Sequence, residues 1–238
     1  MPFYYYYGLW GNKYYMIGTL LIVCAAILSI YAQTKVQSTY RRYKKIPNRR
    51  GITGAQVARE ILDSEGLQHI QIFEVSGQLS DHYNPGKNTI NLSKDVYHGT
   101  SIAALAVAAH ECGHAIQYKE KYIPISLRNA ILPIANVGQY LGWIAILIGL
   151  ALGHTNVAWL GFFLMCGILA FQVVTLPVEF NASSRALTIL EARYLTDGEY
   201  VGAKKMLSAA AMTYVAAMIS TLMSMLRIFL MILGNSRD

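Results

Sequence analysis

Two histidines and a glutamate stand close together in the segment AHECGHAIQ, at positions His110, Glu111 and His114. On an α-helix each residue turns by about 100°, so the two histidines lie one turn apart on one face, with Glu111 beside them. Two imidazoles at this spacing are typical of a zinc site, and a carboxylate too far round to bind the metal can take a proton from water. The spacing therefore predicts a hydrolytic zinc centre.

A zinc hydrolase needs a third protein ligand and keeps a fourth position for water. Gln117 stands where the extended form of the motif has a glycine, so that form is excluded. Glu179, in the segment LPVEFNASSRAL, is the leading candidate, because a carboxylate at the end of an apolar helix is costly to bury without a partner. The alternative is an interfacial glutamate that pairs with Arg185.

Long apolar blocks must position these residues. A hydrophobic fraction of 54% with only 14% charged residues favours a membrane protein. A bilayer-spanning helix needs roughly 20 apolar residues. A signal peptide is the alternative for the first block, but the segment before that block is aromatic and not basic. A buried helix is the alternative for the fourth block. The predicted spans cover about residues 14–32, 131–152, 157–176 and 209–233.

Basic residues after the first block orient the chain. A short basic segment beside a span is held on the cytoplasmic side, so residues 33–130 and 177–208 are expected inside and both termini outside. This topology puts the histidine motif and Glu179 on the same side, although the ligands were not used to derive it. The cluster also favours anionic lipid over nucleic acid as a partner. Its members are Lys35, Arg41, Arg42, Lys44, Lys45, Arg49 and Arg50.

The segment between the first two spans predicts a small α+β region. A helix is expected within 51–66 with Thr53 as its cap, and the helix that carries the motif is expected to be capped by Thr100 or Ser101. Strands are expected at 69–75 and 89–92, with a polar loop between them. The second strand is predicted to offer an edge to an extended substrate.

Four stretches of the chain resemble, in order, the neutral zinc metallopeptidases of the YugP type. More distantly, an NPG turn, a strand, HExxH and a late glutamate are similar to membrane-bound prenyl proteases and HtpX heat-shock peptidases. The resemblance implies a mainly α integral membrane protein of about four transmembrane helices, with a small cytoplasmic zincin-like α+β catalytic region. The stretches are LSDHYNPGKNTINLS, AVAAHECGHAIQ, LPVEFNASSRAL and AAMTYVAA.

The same resemblance implies a gluzincin-like site. His110, His114 and Glu179 would bind one Zn²⁺, and Glu111 would be the catalyst. The chain departs from the distant relatives four residues after the ligand glutamate, where they have an aspartate that supports a ligand histidine. Ser183 stands there. Candidate substitutes for that support are Asn181 and Asp81.

Three residues are candidate donors to the oxyanion that forms during peptide hydrolysis: His82, Arg185 and Tyr214. Each has a structural alternative. His82 would organise its loop, Arg185 would form an ion pair, and Tyr214 would pack between helices. Cys112 is predicted to pack in the core, because it points away from the histidine face.

The predicted function is a zinc-dependent membrane endopeptidase, with residues 1–238 as one membrane-embedded domain. A catalytically inactive membrane scaffold that retains the zinc site is the alternative. A transporter and a merely anchored soluble peptidase are disfavoured, since only Arg227 is charged well inside a span and three further blocks follow the first. The expected location is the bacterial plasma membrane, with the active site on the cytoplasmic side.

Expected partners are a peptide or membrane-protein substrate and the lipid bilayer, without nucleic acid. The aromatic N-terminus, Phe3 to Tyr7 with Trp10, is suited to a membrane-protein partner or to the headgroup region. A homo-oligomer is the other assembly considered.

Overall fold

The computed structural model describes residues 13–235, which form seven helices and one three-stranded sheet. The predicted role of the aromatic N-terminus falls outside the described residues. The elements are α1 (Lys13–Tyr43), α2 (Gly54–Ser64), β1 (Gln71–Val75), β2 (His82–Asn84), β3 (Thr89–Ser93), α3 (Lys94–Tyr97), α4 (Ile102–Lys119), α5 (Ile123–Ala151), α6 (Thr155–Arg193) and α7 (Asp197–Asn235).

Four of the described helices, α1, α5, α6 and α7, are long and apolar enough to cross a membrane. The prediction of about four spanning helices is thereby confirmed at the level of length and composition. Helices α6 and α7 have 39 residues each and extend well beyond the predicted blocks 157–176 and 209–233. The intervening segment 177–208 is therefore mostly helical.

The chain divides into two compact units. The membrane unit comprises the described part of Met1–Ala32 together with Ser126–Leu176 and Thr213–Asp238. The sheet unit comprises Gln33–Ile125 and Pro177–Met212. The prediction of one membrane-embedded domain over the whole chain stays a prediction.

Small residues bring the helices of the membrane unit close together. A side chain at Gly138 would lie 2.4 Å from the carbonyl oxygen of Leu164, and one at Gly149 would lie 2.4 Å from the main-chain nitrogen of Ala158. Helices α5 and α6 therefore pack main chain against main chain, as small residues allow in membranes. Further along, the Trp159 ring meets the Phe229 ring of α7, with their centroids 5.5 Å apart.

The sheet has the strand order β1–β3–β2. Strand β3 pairs in parallel with β1 and antiparallel with β2, so it is the central strand. The prediction that residues 89–92 form a free edge is therefore wrong, because both sides of β3 are already hydrogen-bonded. Strand β2 lies inside the segment predicted as a polar loop. Ile90 and Leu92 of β3 are fully buried and anchor the sheet on the core.

The helix α4 runs through the core of the sheet unit, and its local sequence explains how it begins. The Ser101 hydroxyl accepts the main-chain N–H of Ala104 and caps the helix. Its many alanines let neighbours approach from every side, so 13 of its 18 residues are buried. Helix α2 packs against α4 and has the capping box of Thr53 and Gln56, which confirms the predicted cap.

Candidate metal centre

Three side chains from two helices converge in the sheet unit. One ligand atom from each of His110, His114 and Glu179 lies within 4.8 Å of the others. Glu179 Oε2 is 3.3 Å from Nε2 of His110 and 3.6 Å from Nε2 of His114. The structure thus brings together the three residues that the sequence predicted as metal ligands.

Helix geometry accounts for this convergence. His110 and His114 are one turn apart on α4, and their ring centroids are 4.7 Å apart with the planes 85° to one another. Between them, Gly113 faces Ala182 of α6, and a side chain at Gly113 would lie 2.6 Å from the Ala182 carbonyl oxygen. Only a glycine allows this approach of α6, which carries Glu179, to the histidine face.

The donor set and its spacing fit zinc. Tetrahedral zinc with bonds of about 2.0–2.2 Å holds neighbouring ligand atoms about 3.3–3.5 Å apart. The separations of Glu179 Oε2 from the two imidazole nitrogens, 3.3 and 3.6 Å, are close to this. Glu179 is only 3% exposed, and its Oε2 is a buried oxygen without a hydrogen-bond partner among the described residues. Such an oxygen is costly to bury unless a cation lies beside it.

The electrostatics of the cluster favour a cation. Burial lowers the pKa of the His114 imidazole, but the carboxylate of Glu179 opposes this effect, and the net pKa is raised. The two histidine side chains are 16% and 13% exposed, so solvent screens the carboxylate only weakly. The site therefore stabilises positive charge between the three groups, whether a proton or a metal ion supplies it.

Each histidine makes an outer hydrogen bond that leaves Nε2 directed at Glu179. Nδ1 of His110 is 3.1 Å from the Ser183 hydroxyl, and Nδ1 of His114 is 3.0 Å from Oε1 of Gln117. Such partners fix ring orientation in metal sites. Sequence reasoning missed Gln117, although an amide one turn after His114 in an otherwise apolar helix was a usable signal.

Asp81 and Asn181 do not contact the histidines as the predicted substitutes would. Asp81 accepts the main-chain N–H of Ser93 at 2.7 Å and the Ser93 hydroxyl, which ties the loop before β2 to the end of β3. Burial raises the pKa of its carboxyl group. Asn181 contacts Gln117 instead, and Ser183 itself supports His110. Ser183, at the position where the resemblance implies an aspartate, thus places a hydroxyl beside His110.

Glu111 is buried beside the ligands and is held by the sheet. Its Oε2 accepts the main-chain N–H of Tyr83 in β2 at 2.9 Å. The side chain is outside the three-residue ligand group and only 7% of the residue is exposed. The orientation of this carboxylate is therefore set by the main chain of β2.

Comparison with known proteins decides the family. A family model described as "Putative neutral zinc metallopeptidase" matches residues 18–233. The chain is also 44% identical over 224 residues to the "Putative membrane protease YugP" of Bacillus subtilis (strain 168), covering 94% of this chain and 99% of that protein. The chain belongs to this zinc metallopeptidase family. No solved structure matches it.

Family membership implies zinc as the metal and peptide hydrolysis as the chemistry, and the four apolar helices agree with the name of the relative. The resemblance inferred from the sequence motifs is confirmed. Among the described residues, His110, His114 and Glu179 form a group that could hold a metal ion.

The remaining candidate residues from the sequence, His82 and Tyr214, lie in different surroundings. His82, on β2, is exposed and has Nδ1 2.9 Å from the Ser80 carbonyl oxygen and Nε2 3.2 Å from the Asn91 amide. Tyr214 lies on α7 in the membrane unit and is 40% exposed. Their roles as oxyanion donors stay predictions.

Arg185 has partners of its own. Its Nε donates to Oδ1 of Asn181 at 2.8 Å, and its Nη2 lies 2.6 Å from a carboxylate oxygen of Glu120. This contact lowers the pKa of the Glu120 carboxyl group. The alternative in which Arg185 pairs with Glu179 is wrong, because Glu120 takes that position. A role for Arg185 as an oxyanion donor stays a prediction.

Cys112 packs in the core as predicted. The residue is fully buried, and its thiol lies 3.6 Å from the Ala58 carbonyl oxygen of α2. Burial raises the pKa of the thiol. His98 contacts Glu74 at 2.8 Å on the exposed surface.

Proposed function

We propose that this chain is a zinc-dependent membrane endopeptidase in which His110, His114 and Glu179 hold one zinc ion and Glu111 is the general base. The observation that carries the proposal is the meeting of three candidate ligand atoms from two helices, with a second carboxylate, that of Glu111, oriented beside them. Zinc binding alone gives no reason for Glu111 to be there, and base catalysis does.

A bound zinc ion would supply Lewis-acid chemistry, acidifying a water molecule and polarising the scissile carbonyl. Glu111 takes the proton from the attacking water and passes it to the leaving nitrogen. The Tyr83 N–H fixes one oxygen of this carboxylate, so the direction of the other is defined by the sheet. Preorganised groups of this kind need no rearrangement during the reaction.

The substrate is a peptide or membrane protein bound in extended form at the outer edge of β2. Among the described residues β3 is the one strand that pairs with β2, and on the other side of β2 the Tyr83 N–H is taken by Glu111, so a substrate strand would use the remaining main-chain groups of that side. The Tyr83 N–H points away from β3 and reaches Glu111, which places that outer edge beside the general base. Edge addition positions the main chain of a substrate through hydrogen bonds.

The active site faces the cytoplasm in this proposal, because the basic residues that follow the first span favour the inner side. The test uses an impermeant thiol reagent on intact bacterial cells. We expect His154→Cys, between α5 and α6, to be labelled from outside, and Gln78→Cys, between β1 and β2, to react only after lysis. The parent chain measures background from the native cysteines, and the reverse pattern would put the site outside.

The decisive test measures zinc content and peptide cleavage on the same purified samples. Wild type and Glu111→Gln are expected to hold about one zinc each, while cleavage by the variant falls by about 10²–10⁴-fold because the base is lost. Glu191→Gln, the same change on an exposed glutamate of α6, should alter neither.

Undiminished cleavage by Glu111→Gln would remove Glu111 as the base. A wild type that holds zinc but cleaves no member of a broad peptide library, in detergent or in bilayer discs, would favour the inactive scaffold.

A further inference from the structure

The amide of Gln117 is completely buried and all of its hydrogen-bonding groups are used. Its Nε2 donates to the Val178 carbonyl oxygen at 2.8 Å and to Oδ1 of Asn181 at 2.9 Å. Its Oε1 lies 3.0 Å from Nδ1 of His114. With no exposed surface, the amide cannot exchange any of these contacts for water.

These contacts have only one consistent direction. A main-chain carbonyl can only accept, so Val178 requires the nitrogen of Gln117 on its side. The oxygen of Gln117 must then face His114, and Nδ1 of that imidazole must carry the proton. In a neutral ring this leaves the lone pair on Nε2, the atom directed at Glu179.

The direction at Asn181 is set by Arg185. An asparagine can present either its oxygen or its NH₂ group to a neighbour, and a turned Asn181 would oppose the NH₂ group of Gln117. The guanidinium of Arg185 is a donor only, and its Nε lies 2.8 Å from Oδ1 of Asn181. Glu120 holds the other end of the guanidinium at 2.6 Å.

We propose that Arg185 is a positioning residue for the metal centre: through Asn181 and Gln117 it reinforces the direction set by the Val178 carbonyl, and so the tautomer of His114 that presents an unprotonated Nε2 to zinc. The proposal rests on His114 being a zinc ligand, as the proposed function requires. It gives a remote cation a role in metal affinity without any contact with metal or substrate. If Asn181 turned, the opposed NH₂ groups would offset part of the preference that the Val178 carbonyl imposes on Gln117, and some molecules would carry the ring proton on Nε2 of His114.

The first test measures the zinc dissociation constant by competition with a chelator. Arg185→Met removes the donor, and we expect zinc to bind about tenfold more weakly, at the lower end of effects seen for outer hydrogen-bond partners of metal ligands. Glu120→Gln is the matched control, because it removes the ion pair but keeps an oxygen that accepts from the guanidinium. We expect its affinity to stay at the wild-type value. Equal losses in both variants, or no loss in Arg185→Met, would overturn the proposal.

A rescue experiment separates an effect of Arg185 on the direction of the Gln117 amide from a general effect of Arg185 on the stability of the fold. An aspartate at position 181 can only accept when ionised, so it holds Gln117 in the required direction without Arg185. We expect Asn181→Asp to tighten zinc binding more in the Arg185→Met chain than in the wild-type chain. An equal gain in both backgrounds would be a simple charge effect and would count against the proposal.

The tautomer itself is measured on zinc-free protein by ¹⁵N NMR of labelled histidines, above the pKa of the ring. The wild type should show His114 protonated at Nδ1, and Arg185→Met should show a mixture of tautomers. A wild-type ring protonated at Nε2 would refute the inference even if the protein binds zinc. A wild type that binds no zinc but has the expected tautomer would instead refute the proposed function.

Discussion

The surroundings of the two candidate ligand histidines differ in how strongly they fix the orientation and the proton position of each ring. His114 meets the Gln117 amide, whose direction is set by a carbonyl that can only accept and is supported through Asn181 by a guanidinium that can only donate. His110 meets the hydroxyl of Ser183, which can donate or accept. Both rings belong to the same helix and share the same carboxylate. Two candidate ligands on one helix are thus held by different means, one by a directed network and one by a rotatable group.

The largest effect is expected from removing the Glu179 carboxylate, which both histidines contact. Glu179→Gln replaces the buried carboxylate with a neutral amide, and we expect zinc affinity to fall by roughly two to four powers of ten, in line with the 3–5 kcal/mol lost on breaking buried charge pairs. Metal analysis of the purified protein checks this. Retention of one zinc by a folded Glu179→Gln chain would show that Glu179 is not a ligand. His110 and His114 could then no longer be compared as two ligands that share this carboxylate.

The next effect disturbs both histidines through the main chain. Gly113→Ala puts a methyl group 2.6 Å from the Ala182 carbonyl oxygen, so α4 and α6 must move apart. We expect a loss of about 1–3 kcal/mol in the free energy of unfolding, as for other overpacked sites, together with weaker zinc binding. Thermal unfolding with and without zinc measures both effects.

Gly198→Ala is the control for this change, because a side chain there meets nothing within 4 Å. Its stability should be unchanged or slightly higher. If Gly113→Ala matched Gly198→Ala in stability and zinc affinity, the close approach of the two helices would not be what positions the site.

The comparison is sharpened on the His114 side by Gln117→Leu, which keeps the approximate volume but removes the amide. We expect zinc to bind about 10–100-fold more weakly, because the ring loses its partner and Asn181 loses a donor. Chelator competition measures the affinity, and circular dichroism confirms the fold. An affinity within twofold of wild type would show that the network does not hold His114.

The smallest effect is expected on the His110 side. Ser183→Ala removes a single rotatable hydrogen bond, so zinc affinity should fall by less than about tenfold, the typical net value of one neutral bond being about 1 kcal/mol. Ser183→Asp should instead tighten binding, because a carboxylate makes a stronger, charge-assisted bond to the ring. A larger loss in Ser183→Ala than in Gln117→Leu would reverse the order of the two sides.

The parts of the site that local patterns encode were predictable from the sequence. The spacing of His110 and His114 gave a shared helix face, and the cap residues Thr53 and Ser101 begin the expected helices. Glu179 followed from its cost in an apolar segment. All of these inferences use residues within one or two helical turns of each other, or a single unfavourable burial.

The parts that depend on distant partners were not predictable. Strand β2 has three residues and exists only because it pairs with β3, so its own composition is typical of a loop. The role of Gln117 needs α6 alongside α4. Hydropathy predicted that the apolar block ends near Leu176. Helix α6 nevertheless continues through Pro177 to Arg193. This could not be predicted from hydropathy, because hydropathy reports polarity and not main-chain geometry.

Cys112 separates the two halves of the histidine motif, yet its thiol is sealed against α2 and its pKa is raised by burial. The thiolate is the form that oxidants and alkylating reagents attack. The cysteine nearest the candidate metal ligands in sequence is thus the one that burial shields from such reagents. Reporter cysteines for spectroscopy can accordingly be added elsewhere while Cys112 is left in place.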